Sequence, residues 1–539
     1  MQGSDGLWWI AALDFELGYL LEPAAAPVGW VPPGERPLAR FWRFRQRIAM
    51  DAGETEAWLA AHGGGRPAGV GGLAVAIDEK RHAAAVDRIR DYISAGDCYQ
   101  VNFTFPLHFD WFGHPAALYA GLRARQPVRY GGFVGDGASG IVSLSPELFL
   151  EKTGERLVTR PMKGTLARDQ AARGLQESSK DRAENLMIVD LLRSDLGRVA
   201  ASGSVQVEEL FAIEDYPTVW QMVSTVSARV PGASFADLLQ ALFPCGSITG
   251  APKIRAMQII AELEDQPRGV YTGAFGWVAP DGDCRLNVAI RTLELAADGR
   301  GRMGVGSGIV ADSTAAAEWR ECLLKAGFLR DCDPGLRLIE TLRREAGRYP
   351  RLDGHLARLR RSAAWLGFTF DEAGLRRQLN ALPDDGTWRV RVTLARSGAL
   401  ELQSFPLADA PAAPGRARLA AARIDAADPL RRHKTSARAL YDAALAGLGD
   451  QSPVFDVVFL NTRGEVAEGA RSNVFVERGG CLLTPPLSSG ALPGVLRAEL
   501  LASGRAREAV LWPEDLRQGF WLGNALRGLI AVRLETPAA

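Results

Sequence analysis

SSKDRAENLMIVDLLRSDLG, residues 178–197, reads as one long helix with a wet, charged beginning. Asp181 and Glu184 are three residues apart and share a face in the first turns. Leu186, Met187, Ile188, Val189, Leu191 and Leu192 follow, apolar nearly all round. A helix apolar on every side belongs in the core of a large domain. Two carboxylates at its N-terminal end complement the helix dipole; they also suit a divalent cation held against a bound anion. The helix alone leaves both readings open.

A chain of 539 residues predicts at least two domains. Lys plus Arg and Asp plus Glu each number 63, so the formal charge is zero, which argues against nucleic-acid binding through a large basic field. The cysteines Cys98, Cys245, Cys284, Cys322, Cys332 and Cys481 have no CxxC spacing, so neither a disulfide framework nor a zinc site is expected. The opening MQGSDGLWWIAALDFE lacks the basic and long apolar parts of a signal peptide. With no run of 18 apolar residues, a membrane span is not expected either. These readings predict a reducing, cytoplasmic compartment.

Long strands alternate with long helices up to residue 330. Residues 8–21 read as a strand pair, 82–93 as a helix, and 98–109 as a strand of alternating polarity. Strands are expected over 130–142, 148–157, 205–211, 220–230, 269–278, 284–295 and 301–310, and a closing helix over 315–329. The fold class is α+β, with residues 1–330 as the first domain. The turn-rich DCDPG at 331–335 marks a break, and residues 335–539 form a second domain, with ADAPAAPG at 408–415 joining two halves.

The motifs CYQVNFT (98–104), SPELF (145–149), TRPMKGT (159–165), the 178–197 helix, FPCGSITGAPK (243–253), IRT (290–292) and GSGIVADS (306–313), leading into EWRECLLK (318–325), occur in the order seen in chorismate-utilising enzymes. Residues 98–325 resemble that family, and within it component I of aminodeoxychorismate synthase. The resemblance implies two packed β-sheets with flanking helices. It also implies Mg²⁺ at Glu184 and Glu321, with Asp181 and Glu318 as outer partners. From chemistry alone, each i,i+3 acid pair is an ordinary solvated face, whereas two such faces could close on one ion that keeps several waters.

Lys163 carries the expected reaction. A lone lysine is ordinarily solvated, but in a pocket that lowers its pKa it is a nucleophile. The resemblance implies that it adds to ring carbon C2 of chorismate as the C4 hydroxyl departs, after which ammonia adds at C4. Glu147 matches the acid that protonates the leaving hydroxyl; its ordinary role would be to cap a turn. Gln100 stands where salicylate-forming relatives carry a water-activating lysine, which disfavours isochorismate chemistry. For the dianionic substrate, Arg291 offers a bidentate clamp, Tyr271 a hydroxyl, and Ser247, Thr249 and Gly250 a loop of amides before a helix. Gly306 and Gly308, in a run beginning at Gly304, allow close backbone approach, and Lys325 and Gln221 complete the set. Cys245 departs from the usual Gly or Ala, and Gln221 from the usual His. No Cys–His setting for a glutaminase is evident, so ammonia comes either from a separate glutamine amidotransferase subunit or from solution.

LIETL (338–342), HLARLRRSA (355–363), RRHKTSARALYD (431–442), EVAEGARSNVFV (465–476), PLSSGALPGVLR (486–497) and GNALRGL (523–529) resemble fold-type IV pyridoxal-phosphate enzymes. That family implies a two-subdomain α/β domain and, since its members are generally dimers, a homodimer through residues 335–539. It assigns Lys434 to the bond with pyridoxal 5'-phosphate, Glu468 to the ring nitrogen and Arg358 to the phosphate. The amides around Val495, Leu496, Ala525 and Leu526 complete the phosphate clamp. Otherwise Arg358 is a surface helix arginine and Glu468 a cap for Ser472. Lyase and aminotransferase share this apparatus; the first domain's expected product, which carries an enolpyruvyl ether, favours loss of pyruvate to give 4-aminobenzoate. The alternative is an anthranilate synthase component I-like domain fused to a branched-chain or D-amino-acid aminotransferase-like domain.

Overall fold

The computed structural model describes residues 6–32, 34, 36–63, 65, 67–168, 172–215, 219–383, 386–407, 414–449 and 452–535. Most of the 408–415 connector therefore lies outside the described residues. The chain divides into two compact units. The first is Met1–Ala68, Leu73–Phe109 and Gly113–Cys332; the second is Gly69–Gly72, Asp110–Phe112 and Asp333–Ala539.

The first unit holds two sheets. One runs in the order Gln206–Asp215, Val219–Arg229, Arg156–Arg160, Leu148–Thr153, Cys284–Val288, Ala274–Val278, Trp8–Leu13, Ala39–Phe44, with Met162–Ala167 also paired to Val219–Arg229. The other runs Gly250–Ala251, Gln100–Phe112, Arg300–Ile309, Thr292–Leu295, Gly140–Ser143, Gly132–Gly135. Ala12 and Phe275 of the first meet Val134 and Ile141 of the second in one apolar cluster, so burying both inner faces holds the sheets together.

Three expectations change. Trp8–Leu13 is a strand, but Leu17–Leu21 is a helix, and the strand pairs with Ala39–Phe44 and Ala274–Val278. The apolar run at 284–295 is two strands in different sheets: the chain crosses between them at Arg291, whose φ is +49°. The helix of 178–197 is real (Ser179–Gly197, with the Ser178 hydroxyl accepting from the Asp181 amide at 3.2 Å), but it is not buried all round. Ile188, Val189 and Leu192 are enclosed, whereas Leu186 is 51% exposed.

In the strand Gln100–Phe112 the polar face is buried as well: Gln100, Asn102 and Thr104 are all below a tenth exposed. Alternating polarity usually marks a strand with one wet face. Burying three polar residues costs free energy unless they find partners, so a row of them marks a face that lines a site.

In the second unit, Leu338–Glu345, Thr387–Leu394 and Leu400–Pro406 form an antiparallel sheet. The helices Leu352–Leu366 and Glu372–Asn380 cover it through Leu356, Leu359, Leu375 and Leu379. An eight-stranded mixed sheet runs Val466–Gly469, Val454–Asn461, Gly415–Ile424, Gly528–Leu534, Phe520–Asn524, Asn473–Arg478, Cys481–Thr484, Ala506–Glu508. Among the described residues no helix is long and apolar enough to cross a membrane.

Candidate active sites

Lys163 lies in a strand rather than in a turn. Met162 pairs with Val223 and Thr165 with Gln221, so Lys163 and Gly164 together stand opposite Met222. This is a β-bulge, and bulges re-aim side chains. Gly164 takes φ +89°, where a side chain is strained; a Cβ there would also meet Asp181 Cβ at 3.1 Å. Burial lowers the Lys163 pKa; the charges of Glu147, Glu184 and Glu321 oppose that shift and Lys325 reinforces it. The bulge therefore delivers an amine among carboxylates from three separate elements.

Glu147 is fixed by its own turn. The Ser145 hydroxyl donates to the Val288 carbonyl at 2.5 Å and accepts from the Glu147 amide at 3.2 Å. The Glu147 carboxyl is 5% exposed, and its Oε1 has no hydrogen-bond partner among the described residues. Burial pushes its pKa up, against the Ser247 hydroxyl, the Lys163 charge and the Met162 amide. An enclosed carboxyl with an unused oxygen and a raised pKa can hold a proton and pass it on.

The anion-binding loop is anchored from below. Lys253 reaches Asp195 Oδ2 at 2.5 Å and the Leu242 carbonyl at 3.1 Å, tying the loop to the Ser179–Gly197 helix. Within it Thr249 Oγ1 donates to the Cys245 and Gly246 carbonyls, and Asn102 N donates to Thr249 O at 2.8 Å. Cys245 Sγ lies 3.2 Å from Ser247 Oγ, and burial pushes its thiol up to about 12, so it is a packing group rather than a thiolate. Gly250 and Gly308 both abut Gln100: a Cβ would fall 2.1 Å from its carbonyl oxygen and 2.4 Å from its Nε2, respectively. Gln100 Oε1 is buried without a partner among the described residues. Gln221, across from Thr165, is buried beside the bulge. Arg291 accepts at its carbonyl from Leu144 N, close to the Glu147 turn, and its charge acts on the Tyr271 hydroxyl, which burial pushes up.

Lys325 donates to the Gly306 carbonyl at 2.9 Å and pairs with Glu321 at 2.7 Å. Glu184 and Glu321 both reach the field of Lys163. Among the described residues no three His, Cys, Asp or Glu side chains converge as a metal cage. Asp181 lies against Gly164. Mg²⁺ takes one or two carboxylates and keeps its waters, so Glu184 and Glu321 suit it as donors without a cage.

Gly304 is the tightest constraint on this wall. A Cβ there would lie 2.0 Å from Tyr271 Cδ1. Gly304→Ala is expected to displace the ring and lower stability by about 1–3 kcal/mol, measured by thermal unfolding, with the substrate affinity of the first unit falling further than its fold.

In the second unit, Lys434 is the only lysine between residues 335 and 539. Its segment docks on the first strand: Ile339 N donates to Lys434 O at 2.8 Å, and Leu338 bridges Thr435. Burial and the Arg358 charge bring its amine down to about 8, against Glu340 and Glu468. Glu468 is buried; Tyr441 Oη donates to its Oε1, and Leu492 N to its Oε2 at 2.8 Å. The Ser472 hydroxyl goes instead to Asp456 at 2.6 Å, so Glu468 is not its cap.

Arg358 is not a surface arginine: it is 6% exposed. Nor is its fork free. Nε and Nη2 bind Glu340 at 2.8 and 2.6 Å, and Nη1 donates to the Pro493 carbonyl at 3.3 Å. Glu340 also takes His355 Nδ1 at 2.6 Å; burial alone would raise its pKa, but Arg358 and His355 hold it at about 2. The helix Val495–Ala502 begins just after Pro493 with no side-chain cap, which leaves its first amides, those of Val495 and Leu496, without intrahelical partners. The Leu526 amide already donates to Asn524 Oδ1 at 3.1 Å, which removes it from the expected clamp. A buried amine, a buried carboxylate, an arginine and a helix N-terminus fit pyridoxal phosphate. Sequence reading missed Glu340, His355, Tyr441 and Arg431, whose Nη1 donates to Tyr441 Oη at 2.8 Å, although all four lie inside the quoted motifs.

Residues 2–331 match the model of the chorismate binding enzyme family, and residues 337–534 that of class IV aminotransferases. Aminodeoxychorismate synthase component 1 of Escherichia coli (strain K12) is 44% identical over 242 residues, 43% of this chain and 53% of that protein. Anthranilate synthase component 1 of Streptomyces coelicolor is 41% identical over 267 residues, 48% of this chain and 52% of that protein. The chain thus spans about half the length of the curated relatives it matches. The crystal structure of anthranilate synthase component I from Streptococcus pneumoniae TIGR4 aligns with a TM-score of 0.52 at 28% identity, over 61% of this chain and 81% of that one.

Proposed function

The chain belongs to the chorismate binding enzyme family, and from that premise we propose that it makes 4-aminobenzoate in two steps, one in each unit, as an aminodeoxychorismate synthase component I joined to an aminodeoxychorismate lyase. The observation that carries the first step is the bulge that sets Lys163 beside Glu147. The neutral Lys163 amine attacks C2 of chorismate; the C4 hydroxyl leaves as water with the Glu147 proton. Ammonia then adds at C4 and the Lys163 amine departs from C2, giving 4-amino-4-deoxychorismate. Arg291, Tyr271, Ser247, Thr249, Gly250 and the glycine run hold the substrate's carboxylates, with Gln100 and Gln221 on the ring. Glu184 and Glu321, with Asp181 and Glu318 as outer partners, would hold a magnesium ion, which would supply positive charge to anchor the reacting dianion.

In the second unit, pyridoxal phosphate, implied by the class IV match, supplies an electron sink when bound. Lys434, Arg358, Glu468, Val495 and Leu496 hold it. Lys434 takes the C4 proton of the amino compound, and the C3–O bond breaks. The enolpyruvyl oxygen leaves and is protonated to pyruvate, and the ring becomes aromatic. A separate glutamine amidotransferase supplies the ammonia, the chain pairs as a homodimer through residues 335–539, and it works in the cytoplasm without nucleic acid or membrane.

The test is a product assay with chorismate, Mg²⁺, ammonium and pyridoxal phosphate. Joint release of 4-aminobenzoate and pyruvate supports both halves. Anthranilate would overturn the role given to Lys163, and accumulation of aminodeoxychorismate would overturn the lyase assignment.

The pH profile adds a sharper check. A raised pKa means that Glu147 keeps its proton to higher pH than an ordinary carboxyl, so the acid form is present below that value and lost above it. Chorismate consumption is expected to decline as pH rises through it. Glu147→Gln removes that limb and lowers kcat by about a hundredfold.

A further inference from the structure

We infer that Arg268 is a positioning residue that locks three substrate-lining segments of the first unit in register, an inference that rests on the chorismate reading for its substrate only. Arg268 is 3% exposed and touches no residue given a role in the chemistry through its own reacting groups. Its guanidinium has five N–H donors in a fixed fork, and all five are used. Nε and Nη2 bind the Glu264 carboxylate at 2.9 and 2.7 Å. The second Nη2 proton goes to the Asn102 carbonyl at 2.6 Å, and Nη1 serves the Ile248 carbonyl at 3.1 Å and Thr272 Oγ1 at 3.2 Å.

Each acceptor sits next to the substrate wall. Ile248 lies between Ser247 and Thr249; Asn102 is two residues from Gln100; Thr272 follows Tyr271. Thr272 has φ +59°, a left-handed conformation costly for a β-branched residue and kept only when its surroundings enforce it. The Arg268 bond to its hydroxyl is part of that enforcement, so the guanidinium fixes the direction of the Tyr271 ring. Glu264 closes the frame by accepting from Thr104 N at 2.8 Å, and Glu16 accepts from the Arg268 and Gly269 amides at 2.6 and 3.1 Å.

Arg268→Lys in the full chain keeps a charge for Glu264 but cannot span Asn102, Ile248 and Thr272 from one nitrogen. The expected result is a rise of about tenfold in KM for chorismate with a smaller change in kcat, and an unchanged second reaction on supplied aminodeoxychorismate. Amide hydrogen exchange should quicken in peptides covering 246–251 and 270–273. Adding Thr272→Gly, which accepts the left-handed conformation freely, should bring the raised KM part of the way back down. Glu264→Gln is the milder variant: it should move the same quantities in the same direction, and it carries the test if Arg268→Lys does not fold. Unchanged exchange at those two peptides, or an unchanged KM, overturns the inference. Faster exchange in a protein whose wild type does not consume chorismate supports the positioning role and sinks the functional reading instead.

Discussion

Lys163→Ala is expected to abolish the amination of chorismate, lowering kcat by about a thousandfold or more, while the second unit still releases 4-aminobenzoate from supplied aminodeoxychorismate. Burial works against the Lys163 charge, so the folded state gains little from it, and the thermal midpoint of the variant should stay within a few degrees of the wild type. The bulge that aims it depends on Gly164 and on the ladder to Val219–Arg229, not on the amine. Loss of activity with fold intact therefore isolates the chemistry. The measurement is chorismate consumption with saturating ammonium, with products separated by chromatography. A variant that still makes aminodeoxychorismate at a wild-type rate would remove Lys163 from the covalent route and leave direct attack by ammonia.

The helix, strand and turn types along the first unit were legible because period and turn residues are local signals. The 100–112 strand, the 79–94 helix and the 300–309 strand all appear within a few residues of their expected places. What local pattern could not tell is where a run of apolar residues changes sheet. Residues 284–295 look continuous, yet Arg291 at φ +49° turns the chain from one sheet into the other, a tertiary demand with no trace in alternation. The same limit applies to the sites. Lys163, Glu147, Lys434 and Glu468 stand out in the sequence because their motifs are distinctive, but the residues that surround them do not. Asn185 and Glu340 are polar residues in a helical and an apolar stretch, Arg268 sits in the loop between the Lys253–Leu263 helix and the Ala274–Val278 strand, and only burial reveals them. Asn185 is 0% exposed and takes the Ser224 hydroxyl at 2.6 Å; Glu340 sits in LIETL, where it passes for an ordinary strand carboxylate. A buried acid bound by an arginine and a histidine and held at about 2 stands out as a site candidate, whereas the letter E alone does not.

Lys434→Ala should leave the first reaction untouched and stop the second by about a thousandfold or more, so that aminodeoxychorismate accumulates from chorismate. The readout need not be activity. Purified wild-type protein should show the yellow absorbance of a lysine-bound cofactor, and the variant should lack it. Stability offers an independent check. The folded Lys434 amine titrates at about 8 against an ordinary value of 10.5, so below about 8 the native state carries the full cost of a buried charge that the unfolded chain does not. Between those two values the unfolded chain binds the extra proton, and wild-type stability rises with pH. Lys434→Met, which fills the space without the charge, should therefore exceed cofactor-free wild type in stability at neutral pH. Its advantage should shrink as pH climbs through that window. A constant gap across pH would mean that the amine is not buried in a charged setting, and that the lysine does not sit where a cofactor site requires it.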